Sequence, residues 1–167
     1  MTTTENTMNA ATKIHLDLTI TAPENALNDI AKALNDKLEV LSGKRLPDGV
    51  YRIDGTDLLY TFTPSVTHYE APEAVAKLEQ VPGYLPWDWA LPHEWIRLVD
   101  YSKYDPAVDT AKHPGIKSER AWISKDPHAS SSGGAWGVDF YSGYVYCYDR
   151  DGRFRALAVC RPVPASQ

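Results

Sequence analysis

The sequence predicts an α+β fold: an N-terminal strand and helix, then one domain of short antiparallel strands and two small helices. Three observations carry this. Apolar and polar residues alternate strictly over 14–20, and an apolar stripe recurs at helical spacing over 27–41. In the last third, short runs rich in aromatic and β-branched residues are separated by Gly, Ser and Asp turn signals.

Ile14, Leu16, Leu18 and Ile20 alternate with His15, Asp17 and Thr19, the period of a strand with one buried face. Thr21-Ala22-Pro23-Glu24 follows as a capping box. Its hydroxyl and carboxylate satisfy orphan backbone donors, and the first helical turn tolerates the proline. The helix beyond it presents Leu27, Ile30, Ala31, Leu34, Leu38 and Leu41 on one stripe, and Gly43 is placed to end it. Near Lys44 the texture changes, which sets a domain boundary. Turn signals at Pro47-Asp48-Gly49 and Asp54-Gly55 bracket Val50–Ile53 and Leu58–Phe62 as a short hairpin. A helix is expected over 71–79, stopped by Pro82-Gly83. The segment Tyr84 to Pro92 is too rich in proline and aromatics to be regular and too apolar to be solvated, so it should wedge into the core. A further short helix starts at Pro92 and carries Trp95, Ile96, Leu98 and Val99. Strands are expected at 121–124, 136–141, 144–148 and 154–160. The organisation is then a tail over 1–12, a strand-helix extension over 13–43, a domain over 45–161 and a tail over 162–167.

Composition narrows the function classes. Of 167 residues, 43% are hydrophobic and 23% charged, the balance of a chain that buries its own core. With 22 acids against 17 bases the formal charge is −5, which disfavours affinity built on phosphate neutralisation, so nucleic acid is not expected as a partner. The first dozen residues have neither a basic start nor an apolar run and do not read as a signal peptide. No stretch approaches the ~20 apolar residues that cross a bilayer. Two cysteines, Cys147 and Cys160, without C-x-x-C spacing suit a reducing compartment. A soluble cytoplasmic protein is expected.

From Trp89 onward a series of phrases stands in order: Trp89-Ala90-Leu91-Pro92, Leu98-Val99-Asp100-Tyr101-Ser102, Tyr104-Asp105-Pro106-Ala107-Val108-Asp109, Ala135-Trp136-Gly137-Val138-Asp139-Phe140, Gly143-Tyr144-Val145-Tyr146 and the closing Arg155–Arg161. This series resembles the Lcl C-terminal domain family, a bacterial and phage domain with a C-type lectin-like fold. About 75 residues carry the resemblance. It departs from the family where Ala90 replaces the usual arginine and Trp122-Ile123-Ser124 replaces a serine-rich phrase. The resemblance implies two small helices on irregular antiparallel sheets, with a binding surface on the later strands. Its relatives bind polysaccharides, and similar folds display protein-binding surfaces in phages. Either a protein or a glycan partner follows from it, and the phage or prophage setting rests on it too, with a place in the host cytoplasm or in a virion.

The binding surface can also be read from the residues. A turn centred on Asp151-Gly152 would pair Tyr148 with Arg155, Tyr146 with Leu157 and Tyr144 with Val159. The small residues Val145, Cys147, Ala156, Ala158 and Cys160 would then face inward. That reading leaves both cysteines as buried free thiols, since their four-residue offset exceeds what a disulfide spans. Tyrosine combines a rigid area with a hydrated hydroxyl at low entropic cost, which suits recognition. The expected ligand-binding residues are therefore Tyr144, Tyr146, Tyr148, Arg153 and Arg155, with Ser131 and Ser132 from the serine loop and Trp87 beside them. Trp89, Trp95 and Trp136 are assigned to the core. Cross-strand stabilisation of the sheet is the competing role for the tyrosines.

Asp100, Asp105, Asp109 and Asp139 lack a calcium-loop phrase, so no metal or cofactor is expected. His15, His68, His93, His113 and His128 are scattered without metal-ligand spacing. No nucleophile elbow, phosphate loop or dinucleotide fingerprint is present, and the chain does not read as an enzyme. Two alternatives stand beside the recognition module. One is an intracellular assembly protein, including a homo-oligomer, docking through 13–43. The other, less favoured, is an enzyme similar to formylglycine-generating proteins, working through Cys147.

Overall fold

A computed structural model describes residues 24–41, 45–128 and 133–164. The expected strand over 14–20, the start of the capping box, Gly43 and the Ser131-Ser132 pair lie outside the described residues. Helix α1, Glu24–Leu41, spans 18 residues, as the apolar stripe predicts. The chain divides into two compact units after Asn35, so α1 contributes to both. Ile30, Leu34 and Leu38 on its stripe are exposed.

The second unit is an α+β domain around a seven-stranded sheet. Its strands are β1 (Tyr51–Arg52), β2 (Leu59–Phe62), β3 (Asp88–Trp89), β4 (Arg120–Pro127), β5 (Ala135–Asp139), β6 (Tyr144–Tyr148) and β7 (Arg155–Cys160). The order is β1-β2-β7-β4-β5-β6, with β3 also beside β7. β4 and β7 run parallel, and the other pairings among the described residues are antiparallel. The helices are small: α2 is Ala71–Ala76, and α3, Pro92–Trp95, runs into a 3-10 turn at Ile96–Leu98.

β7 explains the arrangement. Its residues Ala156 to Cys160 are buried without exception, so both faces need cover and the strand takes a central place. On one face Ala156, Ala158 and Cys160 leave room for Trp87, Trp89 and Trp122, with Val75 of α2 behind them. On the other, Leu157 and Val159 meet Tyr60, Phe62, Leu98 and Phe140. On the first face the small β7 residues leave space for the large indoles, as close packing requires.

This corrects the expected closing hairpin. β6 pairs with β5, not with β7, in the register Ala135↔Tyr148, Gly137↔Tyr146 and Asp139↔Tyr144. Residues 149–154 carry the chain from the sheet edge to its centre, where Phe154 bridges Val66. The physical reason is burial: an apolar β7 gains from two covered faces, whereas β6, with its phenols, tolerates an edge. A second correction follows for the thiols. Both are free, but only Cys160 is buried; Cys147 is exposed on β6.

Three polar groups pin the layers together. His68, buried, accepts from Arg150 Nε at Nδ1 (3.1 Å) and donates from Nε2 to the Ser124 carbonyl (2.8 Å). Those roles define a neutral imidazole, and burial lowers its pKa. Glu94, also buried, receives both Arg161 Nε (2.9 Å) and Nη2 (2.7 Å). Thr63 Oγ1 accepts the Ala156 N–H at 2.9 Å.

Candidate binding surface

The β5–β6 hairpin turns at Gly143, whose φ of +78° favours glycine and whose N–H donates to the Asp139 carbonyl at 2.7 Å. Alternation along β6 puts Tyr144, Tyr146 and Tyr148 on one face. Their rings form a ladder with centroid spacings of 6.2 and 6.0 Å, each contact edge-to-face. It runs inward through Phe154, 5.1 Å from Tyr148, to Trp122, 4.6 Å from Phe154. The outer rings are open, Tyr144 at 58% and Tyr146 at 49%, while Tyr148 is half-buried.

Gly137 makes the inner rung possible. A Cβ there would stand 2.9 Å from the Tyr148 ring and 3.1 Å from the Ala121 carbonyl oxygen, so only glycine lets the phenol lie across the strand. Arg120 covers the same rung, its guanidinium 5.2 Å from the Tyr148 centroid and 5.8 Å from that of Phe154. Asp139 holds it at 3.3 Å through Nε. Desolvation pushes the Tyr148 hydroxyl above its ordinary pKa, so the ring surface carries no charge near neutrality.

More tyrosines gather at the hairpin tip. Asp105 N–H donates to the Tyr141 carbonyl (3.0 Å) and Ala107 N–H to that of Phe140 (2.7 Å), which seats the 104–107 loop against the turn. Tyr104 meets Tyr141 at 4.4 Å between centroids, and Tyr101 donates its hydroxyl to the Gly143 carbonyl at 3.3 Å. The hydrogen bond to Tyr141 pushes the Tyr104 hydroxyl up to about 12. All three of these rings are exposed. Sequence reasoning missed Tyr101, Tyr104 and Tyr141, along with Arg120 and Phe154. Tyr101 and Tyr104 had a signal, since both stand among polar residues in a loop with no apolar period to bury them.

The expected arginines lie beside the ladder rather than on it. Arg155 extends over Phe62 (4.4 Å), donating to the Thr63 carbonyl (3.2 Å) and to Glu119 (2.6 Å). Arg153, exposed, donates to the Ser65 carbonyl at 2.9 Å. With Arg120 they line an open cleft of about 530 Å³ next to Phe154 and Tyr141. Trp87 must be corrected: it is 7% exposed, packed in the core around Trp122, and its Nε1–H donates to the Glu79 carbonyl at 2.9 Å. Proline and aspartate neighbours mark an irregular backbone and say nothing about which way an indole turns.

Trp136 reverses in the other direction. Assigned to the core, it is 37% exposed, on the sheet face opposite the ladder, with the His128 ring 4.5 Å away. It lines an apolar cleft of about 460 Å³ with Trp89, Trp95, Leu91 and Ile123. Among the described residues no three His, Cys, Asp or Glu side chains stand close enough together to hold a metal ion. Compared with known proteins, the chain matches no family model, no curated protein and no solved structure.

Proposed function

We propose that this chain is a non-catalytic recognition module that grips a protein or glycan partner on the tyrosine surface of the β5–β6 hairpin. One observation supports this most directly: five exposed tyrosines, Tyr101, Tyr104, Tyr141, Tyr144 and Tyr146, gather around one hairpin. Exposed apolar area on that scale is uncommon on a protein that binds nothing. Tyr144 and Tyr146 stand on a regular strand, and Tyr101, Tyr104 and Tyr141 are tied to the hairpin turn by ring and hydrogen-bond contacts, so little conformational entropy is lost when they engage a ligand. The C-type lectin-like reading fits this use of the later strands, and with it a phage-derived setting.

The test separates binding from structure. Tyr146→Ala is expected to hold the melting temperature nearly constant while removing the partner retained from host lysate or the signal on a glycan array. A variant that unfolds would assign the tyrosines to sheet stability. A second reading is favoured by one observation, the exposed Ile30, Leu34 and Leu38 of α1. In it the helix docks an assembly partner, and Leu34→Asp with Leu38→Asp would abolish capture while Tyr146→Ala would not.

A further inference from the structure

Among the described residues the sheet ends on β6, and no further strand pairs with that edge. Natural edge strands are blunted by charge, proline, bulges or shortness, because a free row of N–H and C=O groups is a template for another strand. The opposite edge follows this rule: β1 is two residues long, and its Arg52 pairs with Asp57 at 3.3 Å. β6 does not. It is five residues long, Tyr144-Val145-Tyr146-Cys147-Tyr148, with no charge and no proline. Its register with β5 is unbroken over all five. Among the described residues β5 is its only strand partner.

The sequence of the edge indicates what it pairs with. Read in either direction it is tyrosine, small apolar, tyrosine, small apolar, tyrosine. An antiparallel copy related by a two-fold axis at Tyr146 therefore sets Tyr144 against Tyr148, Tyr146 against its own counterpart, and Val145 against Cys147. Like meets like on both faces, as an isologous contact requires. Although each chain carries a formal charge of −5, no charge lies on the strand that would meet. We propose that β6 pairs edge to edge with β6 of a second copy, giving a two-fold dimer with a continuous sheet and a doubled tyrosine ladder. This goes beyond ligand recognition, because it uses the main-chain edge and needs no other partner.

A contact confined to two five-residue strands is expected to fall below the ~1,200 Å² of standard interfaces, so the dimer is weak and reversible. Sedimentation of the full chain without ligand, over about 10 μM to 1 mM, reads it. The wild type is expected to move from monomer toward dimer across that range. Tyr146→Lys and Tyr146→Glu, each placing like charges on the two-fold axis, are expected to stay monomeric, and their equimolar mixture to associate again. A wild type monomeric throughout, or single-charge variants that associate as it does, would overturn the proposal. So would a mixture that stays monomeric. Should those variants misfold, Val145→Cys sets a thiol opposite Cys147 of the second copy. Mild oxidation then yields a covalent dimer that Cys147→Ser abolishes, and a chain that stays monomeric sinks the pairing. Because no ligand is present, either failure leaves the recognition reading standing.

Discussion

His68 shows what a single buried side chain contributes. Its neutral ring links the Arg150 side chain to the Ser124 carbonyl, two segments far apart in sequence. Burial holds its pKa below the ordinary 6.5, and His113, also buried, shifts the same way for the same reason. The unfolded chain therefore binds more protons between the two values, so stability is full above about 6.5 and falls as pH drops through the folded-state values. Melting temperature is expected to decline from pH 7 to 5, above the window in which Glu70 and Glu73, with carboxyls held below 4.5, take up protons. His68→Gln is expected to show a shallower decline, and an unchanged slope would remove His68 from the account. Such a role was not legible in the sequence. A histidine between Thr67 and Tyr69 carries no mark of burial, because burial here comes from β4 and Arg150 closing over it. The three tyrosines of β6 were legible, since alternation alone puts them on one face.

At the level of elements, what could be read and what could not divide along a physical line. Helix stripes, turn residues and period-2 runs are local, and the hairpin over 50–62, α3 and β6 all form where they point. Strand partners are not local. Asp151-Gly152 has the chemistry of a tight hairpin, yet its two flanking strands separate because β7 gains more from two covered faces than from pairing with β6. Trp87 and Trp136 trade places for a related reason: exposure depends on which layer passes over a ring, and the neighbouring residues do not set it. The hairpin that carries the proposed site also depends on Gly137. Gly137→Ala should force Tyr148 off the strand at a cost of about 1–3 kcal/mol, the range for overpacked sites. Urea unfolding would read that loss, and partner retention should fall with it. A variant as stable as wild type with its ladder undisturbed would show that the close approach matters little.

Across the whole molecule, the buried cores and the proposed recognition surface lie in different places. Both cores centre on β2, β7 and β4, while the open rings sit on the hairpin farthest from β1. Removing an outer tyrosine leaves Trp122, Leu157 and the Glu94–Arg161 pair in place, so its effect on folding should fall within the ±0.5 kcal/mol of ordinary surface changes. The Trp136 cleft and the α1 stripe are the rival surfaces. Amide chemical-shift mapping of the intact chain, titrated with the first partner captured, compares all three at once. The account predicts that shifts cluster at Tyr101, Tyr104, Tyr141, Tyr144 and Tyr146. Shifts confined to Trp95, Ile123 and Trp136, or to Leu34 and Leu38, would contradict it.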